Sequence, residues 1–409
     1  MKALFGFLAL PLVVLAPVPF AKAQFNGCGT GLCAPLAAGV AVPNYTPNIG
    51  LPIWRACRDR IRAGTIDQCP VVLISESTGA AFDATYATIT NDASCCGLDR
   101  ALAGILRTVY GVDAQTNNFL GNRAIDGFSG GSSAAYLEFD TRVTSLGNWI
   151  IATFIGPQFP GGFPFVGGNT AITFHPTDVV SFPSTPAINT DRIDLYAVYT
   201  GTANMTVKVG ATTLCTIPPG LSNTKQTCNA TRGDNTYSIN CDVQFQCNFA
   251  GASARDSTAH QVVILNASFG GATVAQQAST IGIIDQMAPV LCIINDLGND
   301  QGQSTPVNAF IASNQTIISR CKLTGDVLMT TGVVGNNPTY PPAVVTVAAT
   351  NNVPVWNSAA LGGASGWSPP TNDNYGWDGA WDRAALDPNH PGAAGYAVWA
   401  SFVAQILMQ

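Results

Sequence analysis

The chain of 409 residues carries three histidines, His175, His260 and His390. Only His390 has an acid three residues before it in a short polar turn, Asp387-Pro388-Asn389-His390-Pro391. A serine hydrolase needs an imidazole to take the hydroxyl proton and a carboxylate to orient that imidazole and stabilise its charged form. An acid and a base at i and i+3 on one turn supply both from a single segment. The same residues also fit a helix N-terminal turn with a surface histidine, so the nucleophile has to be sought elsewhere in the chain.

Two serines present themselves. Val71-Val72-Leu73-Ile74 is an apolar, mostly β-branched run followed by Ser75-Glu76-Ser77-Thr78-Gly79-Ala80-Ala81, which reads as a buried strand ending in a tight turn. Ser77 then stands at the carboxyl end of a strand, where open α/β sheets place their sites; a helix cap is the structural alternative. Ser129 lies in a literal G-x-S-x-G, Gly127 to Gly131, the pattern of the nucleophile elbow in α/β-hydrolases. Leu120 to Asp126 makes a poor strand before it, and that fold usually keeps its acid far from its histidine. A third chemical group is Asn299. Val290 to Ile294 reads as a second buried strand running into Asn295-Asp296-Leu297-Gly298-Asn299-Asp300. A side-chain amide at that edge donates to a developing oxyanion, or simply caps a turn.

Helical spacing marks the elements that position these groups. Pro52 to Ala63 fits one short helix, and Leu98, Leu102, Ile105, Leu106 and Val109 fit a core helix ending near Tyr110. Pro306 to Leu323 reads as a helix, Asp326 to Gly332 as a strand, and Tyr396 to Leu407 as a helical tail after His390. Residues 351–386 are loop-like and hold Trp356, Trp367, Trp377 and Trp381. The middle of the chain differs. Trp149 to Ile155 fits a strand, and from about Gly161 to Ser279 short alternating segments recur: Arg192 to Tyr199, Met205 to Val209, Tyr237 to Cys241 and Gln261 to Asn266. Close spacing of short strands points to an antiparallel sandwich. Tyr196, Tyr199 and Tyr237 within it offer aromatic faces to sugar rings, or fill its core. His175 and His260 fall here as structural or surface residues.

Lys2, an apolar run to Phe20 and Ala21-Lys22-Ala23 form a secretory signal peptide with its cleavage site. Its removal takes away two lysines and no acid, which moves the formal net charge from −6 to −8. An acidic, weakly charged chain lacks the basic patch of a nucleic-acid binder. No later run suits a membrane span. All twelve cysteines follow the signal, and an even count in an exported chain reads as disulfides. Local pairs such as Cys28–Cys33, Cys57–Cys69, Cys215–Cys228 and Cys241–Cys247 are the natural choice, while adjacent Cys95 and Cys96 take different partners. No cysteine cluster has a histidine at zinc spacing, and no cofactor or metal is called for. The expected destination is outside the cell or the periplasm.

Four pieces in order resemble the SGNH/GDSL hydrolase family. Ser75-Glu76-Ser77 stands where that family has G-D-S, and Phe128-Ser129-Gly130 at its glycine turn. Gly298-Asn299-Asp300 stands at its G-x-N-D, with the spacer missing or shifted, and Asp387 to Pro391 at its D-x-x-H. The resemblance implies Ser77 as nucleophile, His390 as general base and then acid, and Asp387 as the group orienting it. The backbone N–H groups of Ser77 and Gly130 and the side chain of Asn299 would form the oxyanion hole. It implies a three-layer α/β/α domain with a parallel sheet, interrupted by an all-β sandwich. The expected organisation is a signal peptide over 1–23 and a disulfide-pinned extension over 24–69. Hydrolase halves over 70–160 and 280–409 then flank an inserted β-sandwich, with a carbohydrate-binding role open to it, over 161–279. The expected function is a secreted serine esterase acting without cofactor on an O-acylated, chiefly O-acetylated, carbohydrate. The alternative is a non-catalytic glycan-binding or surface protein on the same scaffold, favoured by Ser75-Glu76 replacing Gly-Asp.

Overall fold

The computed structural model describes residues 41–76, 98–116, 119–121, 143–145, 147–151, 165–166, 170–176, 188–268, 272–295, 298–332, 339–360 and 393–409. The central sheet contains β1 (Tyr45–Thr46), β2 (Gln68–Ser75) and β3 (Ala114–Gln115). The antiparallel strands that come next are β4 (Phe119–Gly121), β5 (Val143–Ser145), β6 (Ile150–Ile151), β7 (Phe165–Val166), β8 (Ile172–Phe174) and β9 (Thr190–Thr200). They continue with β10 (Met205–Val209), β11 (Thr212–Ile217), β12 (Thr224–Gly233), β13 (Tyr237–Cys241), β14 (Cys247–Phe249) and β15 (Gly251–Arg255). The chain then returns to the central sheet with β16 (Gln261–Asn266), β17 (Leu291–Asn295), β18 (Asp326–Thr330) and β19 (Val355–Trp356). The helices are α1 (Pro52–Arg62), α2 (Leu98–Thr108), α3 (Val274–Thr280), α4 (Ile283–Met287), α5 (Gly298–Gly302), α6 (Val307–Cys321), α7 (Tyr340–Thr350) and α8 (Ala393–Met408).

The central order is β1-β19-β18-β17-β2-β16-β3, parallel throughout except for β1 against β19. Parallel strands are covered on both faces, so their residues alternate between two cores. Val71, Leu73, Ile264, Ile293 and Leu328 turn to one face, where Trp54 of α1, Leu102 of α2 and Trp399 and Phe402 of α8 pack. Val72, Ile74, Leu265, Ile294 and Met329 turn to the other, under Phe310 and Ile317 of α6 and Val344 of α7. This is the expected three-layer α/β/α arrangement.

Local chemistry sets several helix ends. Pro52 opens α1, where its missing N–H costs nothing. Thr273 and Gln276 form a reciprocal capping box on α3. The last carbonyls of α8 lack helical partners; that of Leu407 accepts from Trp54 Nε1 at 2.7 Å and Arg58 Nη1 at 3.0 Å. The backbone N–H of Trp54 donates in turn to Asp326 Oδ2 at 2.8 Å, at the start of β18. These bonds fix the direction of α8: its end lies at the amino edge of the sheet. Its earlier residue Trp399 packs with its ring centroid 6.0 Å from that of Trp356, which pairs with Thr330 at the carboxyl end of β18. Helix α8 therefore begins on the carboxyl side.

Among the described residues the twelve antiparallel strands make two sheets, β11-β10-β13-β8-β5 and β4-β15-β9-β14-β7-β6 with β12 beside β9. They share one core of Trp149, Phe174, Ile193, Leu195, Met205, Val207, Tyr237, Ile239 and Phe249. The region is bound to the parallel sheet by a charged cluster. Asp194 is wholly buried and ion-pairs with Arg255 at 2.5 Å and Lys225 at 3.2 Å. Arg255 also donates to the side chain of Gln68, the first residue of β2.

Three expectations are corrected. Gln261–Asn266, read as part of the sandwich, is a parallel strand between β2 and β3. Its apolar run suits either sheet, and only its pairing decides. Strands β4, β5 and β6, all before residue 161, belong to the antiparallel sheets. Trp356 is no loop residue: it is fully buried in β19, against Phe402 at 5.2 Å. Of the two roles open to the tyrosines, Tyr196 and Tyr237 take the core one, and Tyr199 is the exposed member of that trio. Cys57–Cys69, Cys215–Cys228 and Cys241–Cys247 pair as expected, and Cys292–Cys321 joins them. Cys28, Cys33, Cys95 and Cys96 lie outside the described residues. Among the described residues no helix is long and apolar enough to cross a membrane.

The Trp356 ring fills the corner between β19 and α8. Trp356→Ala should lower folding stability by about 3–5 kcal/mol, read as a reduced midpoint in urea unfolding with the disulfides intact.

Candidate active site

After β2 the chain crosses to the face that holds α2; after β16, β17 and β18 it crosses to the face that holds α3, α4, α6 and α7. The direction of winding thus reverses between β2 and its neighbour β17. In open α/β sheets the crevice outside the carboxyl ends of such strands is the usual ligand site. Ser75-Glu76 and Asn295 stand at that edge, with Ser75 and Asn295 directly paired.

Polar side chains replace apolar ones at the last residues of these strands. Ser75, Asn266, Asn295 and Thr330 are all buried, and buried polar groups need partners. Ser75 Oγ donates to the Asn295 carbonyl at 2.7 Å and accepts from Asn295 Nδ2 at 3.1 Å. Thr330 Oγ1 donates to Asn295 Oδ1. A row of hydrogen bonds therefore ties β2, β17 and β18 together at the carboxyl edge, with Asn295 at its centre. Sequence reading had missed Asn295 and Thr330 as site-forming residues. The available signal was an amide closing the apolar run Leu291 to Ile294, a residue that a buried strand end admits only with partners at hand.

Above this row the Asn299 backbone N–H donates to Glu76 Oε2 at 2.5 Å. The Asn299 side chain donates through Nδ2 to the Ala272 carbonyl at 3.1 Å. The neighbouring Asp300 accepts from the Val274 N–H at 2.8 Å, through Oδ2. Burial pushes the Asp300 carboxyl above its ordinary range, and the Val274 N–H works against that rise. The turn bearing Asn299 is therefore gripped from two sides, by Glu76 after β2 and by the segment leading into α3.

Of the sequence-predicted site residues, Asn299 is brought to the carboxyl edge beside Glu76, one residue before Ser77. Ser77, Gly130, Asp387, His390 and the rival Ser129 lie outside the described residues. His175 Nε2 meets Asp234 Oδ1 at 2.8 Å in the β region, and His260 Nδ1 meets the Ile66 carbonyl at 2.7 Å. Both keep the structural or surface roles expected of them.

Two measurements test this arrangement. Asn295→Ala removes the shared partner of Ser75 and Thr330 and should cost about 1–3 kcal/mol of stability, measured by chemical unfolding; an unchanged midpoint would contradict the row. Asp300 gives a pH signature. A carboxyl raised in the folded state keeps its proton where the unfolded chain has lost it. Its contribution therefore favours folding at low pH and is lost as pH rises through the raised value. Asp300→Asn keeps an acceptor for Val274 but stays neutral. Its stability relative to the parent should rise from about pH 4 to pH 7, followed by thermal unfolding at each pH.

No protein-family model matches the chain, and no curated protein matches it. Solved structures do. A peptidoglycan O-acetylesterase superposes with a TM-score of 0.60 at 16% identity, over 86% of this chain and 94% of its own. A lipolytic protein of the G-D-S-L family from Desulfitobacterium hafniense aligns with a TM-score of 0.29 at 12% identity, over 36% of this chain and 81% of its own. A family two carbohydrate esterase from Clostridium thermocellum, in complex with cellohexaose, aligns with a TM-score of 0.26 at 10% identity, over 64% and 97%. The chain has the SGNH/GDSL hydrolase fold, with an additional antiparallel β region set within its sequence.

Proposed function

We propose that the protein is an exported serine esterase that removes O-acyl groups, chiefly O-acetyl, from a carbohydrate through an acyl-serine intermediate. Ser77 is the nucleophile. His390 takes the Ser77 hydroxyl proton as the oxygen attacks the ester carbonyl, then returns it to the departing sugar hydroxyl. Asp387 holds the imidazole in the tautomer this requires. The backbone N–H groups of Ser77 and Gly130, with the Asn299 amide, stabilise the tetrahedral oxyanion. A water molecule activated by His390 then releases the acid and restores Ser77.

The observation that carries this reading is the hydrogen bond from the Asn299 N–H to Glu76 Oε2. It joins the turn that precedes Ser77 to the turn that bears the oxyanion amide, although the two are 223 residues apart. The Asn299 nitrogen carries two hydrogens. One serves Ala272, and the other is the donor that the oxyanion role requires. The start of α8, three residues after His390, on the same side of the sheet supports the third partner. Ser75 and Glu76, which replace Gly-Asp, each make bonds that build this edge, so the fold accommodates the replacement. The four disulfides among the described residues suit export. The acylated-carbohydrate substrate class rests on the shared fold with the peptidoglycan O-acetylesterase and on the added β region.

Hydrolysis of a short-chain aryl acetate should fall ~10³-fold or more in Ser77→Ala, with Ser129→Ala close to the parent. Loss in Ser129→Ala instead would move the nucleophile to the G-x-S-x-G turn. A folded parent that neither turns over the ester nor reacts with a fluorophosphonate probe would refute the enzyme reading.

A further inference from the structure

The turn between β13 and β14 is built at unusual cost for a surface loop. Cys241 and Cys247 close it with a disulfide, and both are buried. Between them Val243 is 49% exposed and Phe245 54% exposed. Phe245 has φ of +62°, the left-handed region where glycine or asparagine is unstrained and a bulky residue is a genuine outlier. Packing does not explain the choice, because the ring faces solvent. Backbone strain of this kind collects at binding and catalytic positions.

The surroundings hold the tip rigid. The Gly201 N–H donates to the Gln246 carbonyl at 2.6 Å. Gly201 also packs against the Gln246 side chain, so a Cβ there would displace the Gln246 amide. Gln246 Oε1 accepts from the Thr202 N–H at 3.2 Å, and Asn204 Nδ2 donates to Asp242 Oδ2 at 3.1 Å. Exposed Tyr199 sits on the neighbouring strand, paired with Asn248 just past the loop. Two exposed aromatics and a valine thus share one pinned strand-and-turn neighbourhood with the amide of Gln244, which is exposed as well.

We infer that this tip is a glycan-binding platform, distinct from the proposed catalytic edge and independent of it. Aromatic faces suit the apolar C–H faces of a pyranose whose substituents are equatorial, and flanking amides suit its hydroxyls. The only charged side chain of the loop is Asp242, already held by Asn204, so the platform fits a neutral hexopyranose chain. A cation-free tip does not fit an anionic membrane surface.

The test is titration of the oxidised full-length protein with cellohexaose and, separately, with N-acetylchitohexaose, followed by calorimetry. Binding of either is expected, the preferred one telling plain from N-acetylated sugar. Phe245→Ala and Tyr199→Ala should each weaken it about tenfold or more. Phe245→Gly is the decisive variant: it relieves the left-handed strain, so its melting temperature should not fall, yet its binding should drop as in Phe245→Ala. Absence of binding by the parent to both sugars, or unchanged affinity in both Phe245 variants, overturns the inference. So does a parent that sediments as a dimer and becomes monomeric in Phe245→Gly, since the tip would then be a contact between copies.

Discussion

One hydrogen bond, from the Asn299 backbone N–H to the Glu76 carboxylate, has the rest of the carboxyl edge arranged beneath it. Turns that follow parallel strands leave the sheet, and their backbone groups lose the ladder that satisfied them. A carboxylate only accepts, so Glu76 needs a donor, and the first turn after β17 supplies one at 2.5 Å. A charge-assisted bond is among the stronger ones available. Its effect is geometric as well as energetic, because the two turns cannot drift apart without breaking it. The row from Ser75 through Asn295 to Thr330 lies directly below. It holds the strand ends in register, so the turns spring from fixed points.

The same two strands are anchored at their other ends. Cys69 near the start of β2 bonds to Cys57 of α1, on one face of the sheet. Cys292 in β17 bonds to Cys321 at the end of α6, on the opposite face. A cross-link acts chiefly by limiting the unfolded chain. Here it also means that each strand carrying a turn of the candidate site is tied to a helix, one from above and one from below. The site edge thus rests on strands held by bonds that no side-chain rearrangement at the edge disturbs.

How much of this was legible depended on whether the signal was local. The runs Val71–Ile74 and Leu291–Ile294 announced buried strands because both faces are covered and alternation is lost. The helices α1, α2, α6 and α8 were visible through apolar spacing. Helix α7 passed unrecognised: it opens with Tyr340-Pro341-Pro342, and two adjacent prolines hide a helix start although the first helical turn tolerates them. The strand Gln261–Asn266 was visible as a strand, but its sheet was not, since Val262 to Leu265 would serve either one. The charge pairing of Asp194 with Arg255 and Lys225, and the link from Arg255 to Gln68, were beyond reach because their partners are far apart in sequence. At the site, Asn299 was found through its place after a strand. Asn295 was passed over because an asparagine at a strand end has an ordinary explanation as a turn residue, and only its bonds to Ser75 and Thr330 give it another.

The pairing of β4 with β15 explains how so large a β region sits inside an α/β sheet without loosening it. Strand β4 comes just after β3, and β15 just before β16. Gly121 faces Gly251, Leu120 faces Ala252 and Phe119 faces Ser253. The chain therefore leaves and re-enters the parallel sheet along two strands hydrogen-bonded to each other. An inserted unit is tolerated when its two ends lie close together, because the host then sees little more than a short loop. Strands β3 and β16 are themselves neighbours at the edge of the sheet, so the host's own geometry brings those ends together. The insertion is thus placed where it spans no gap, away from the β2–β17 junction on which the candidate site stands.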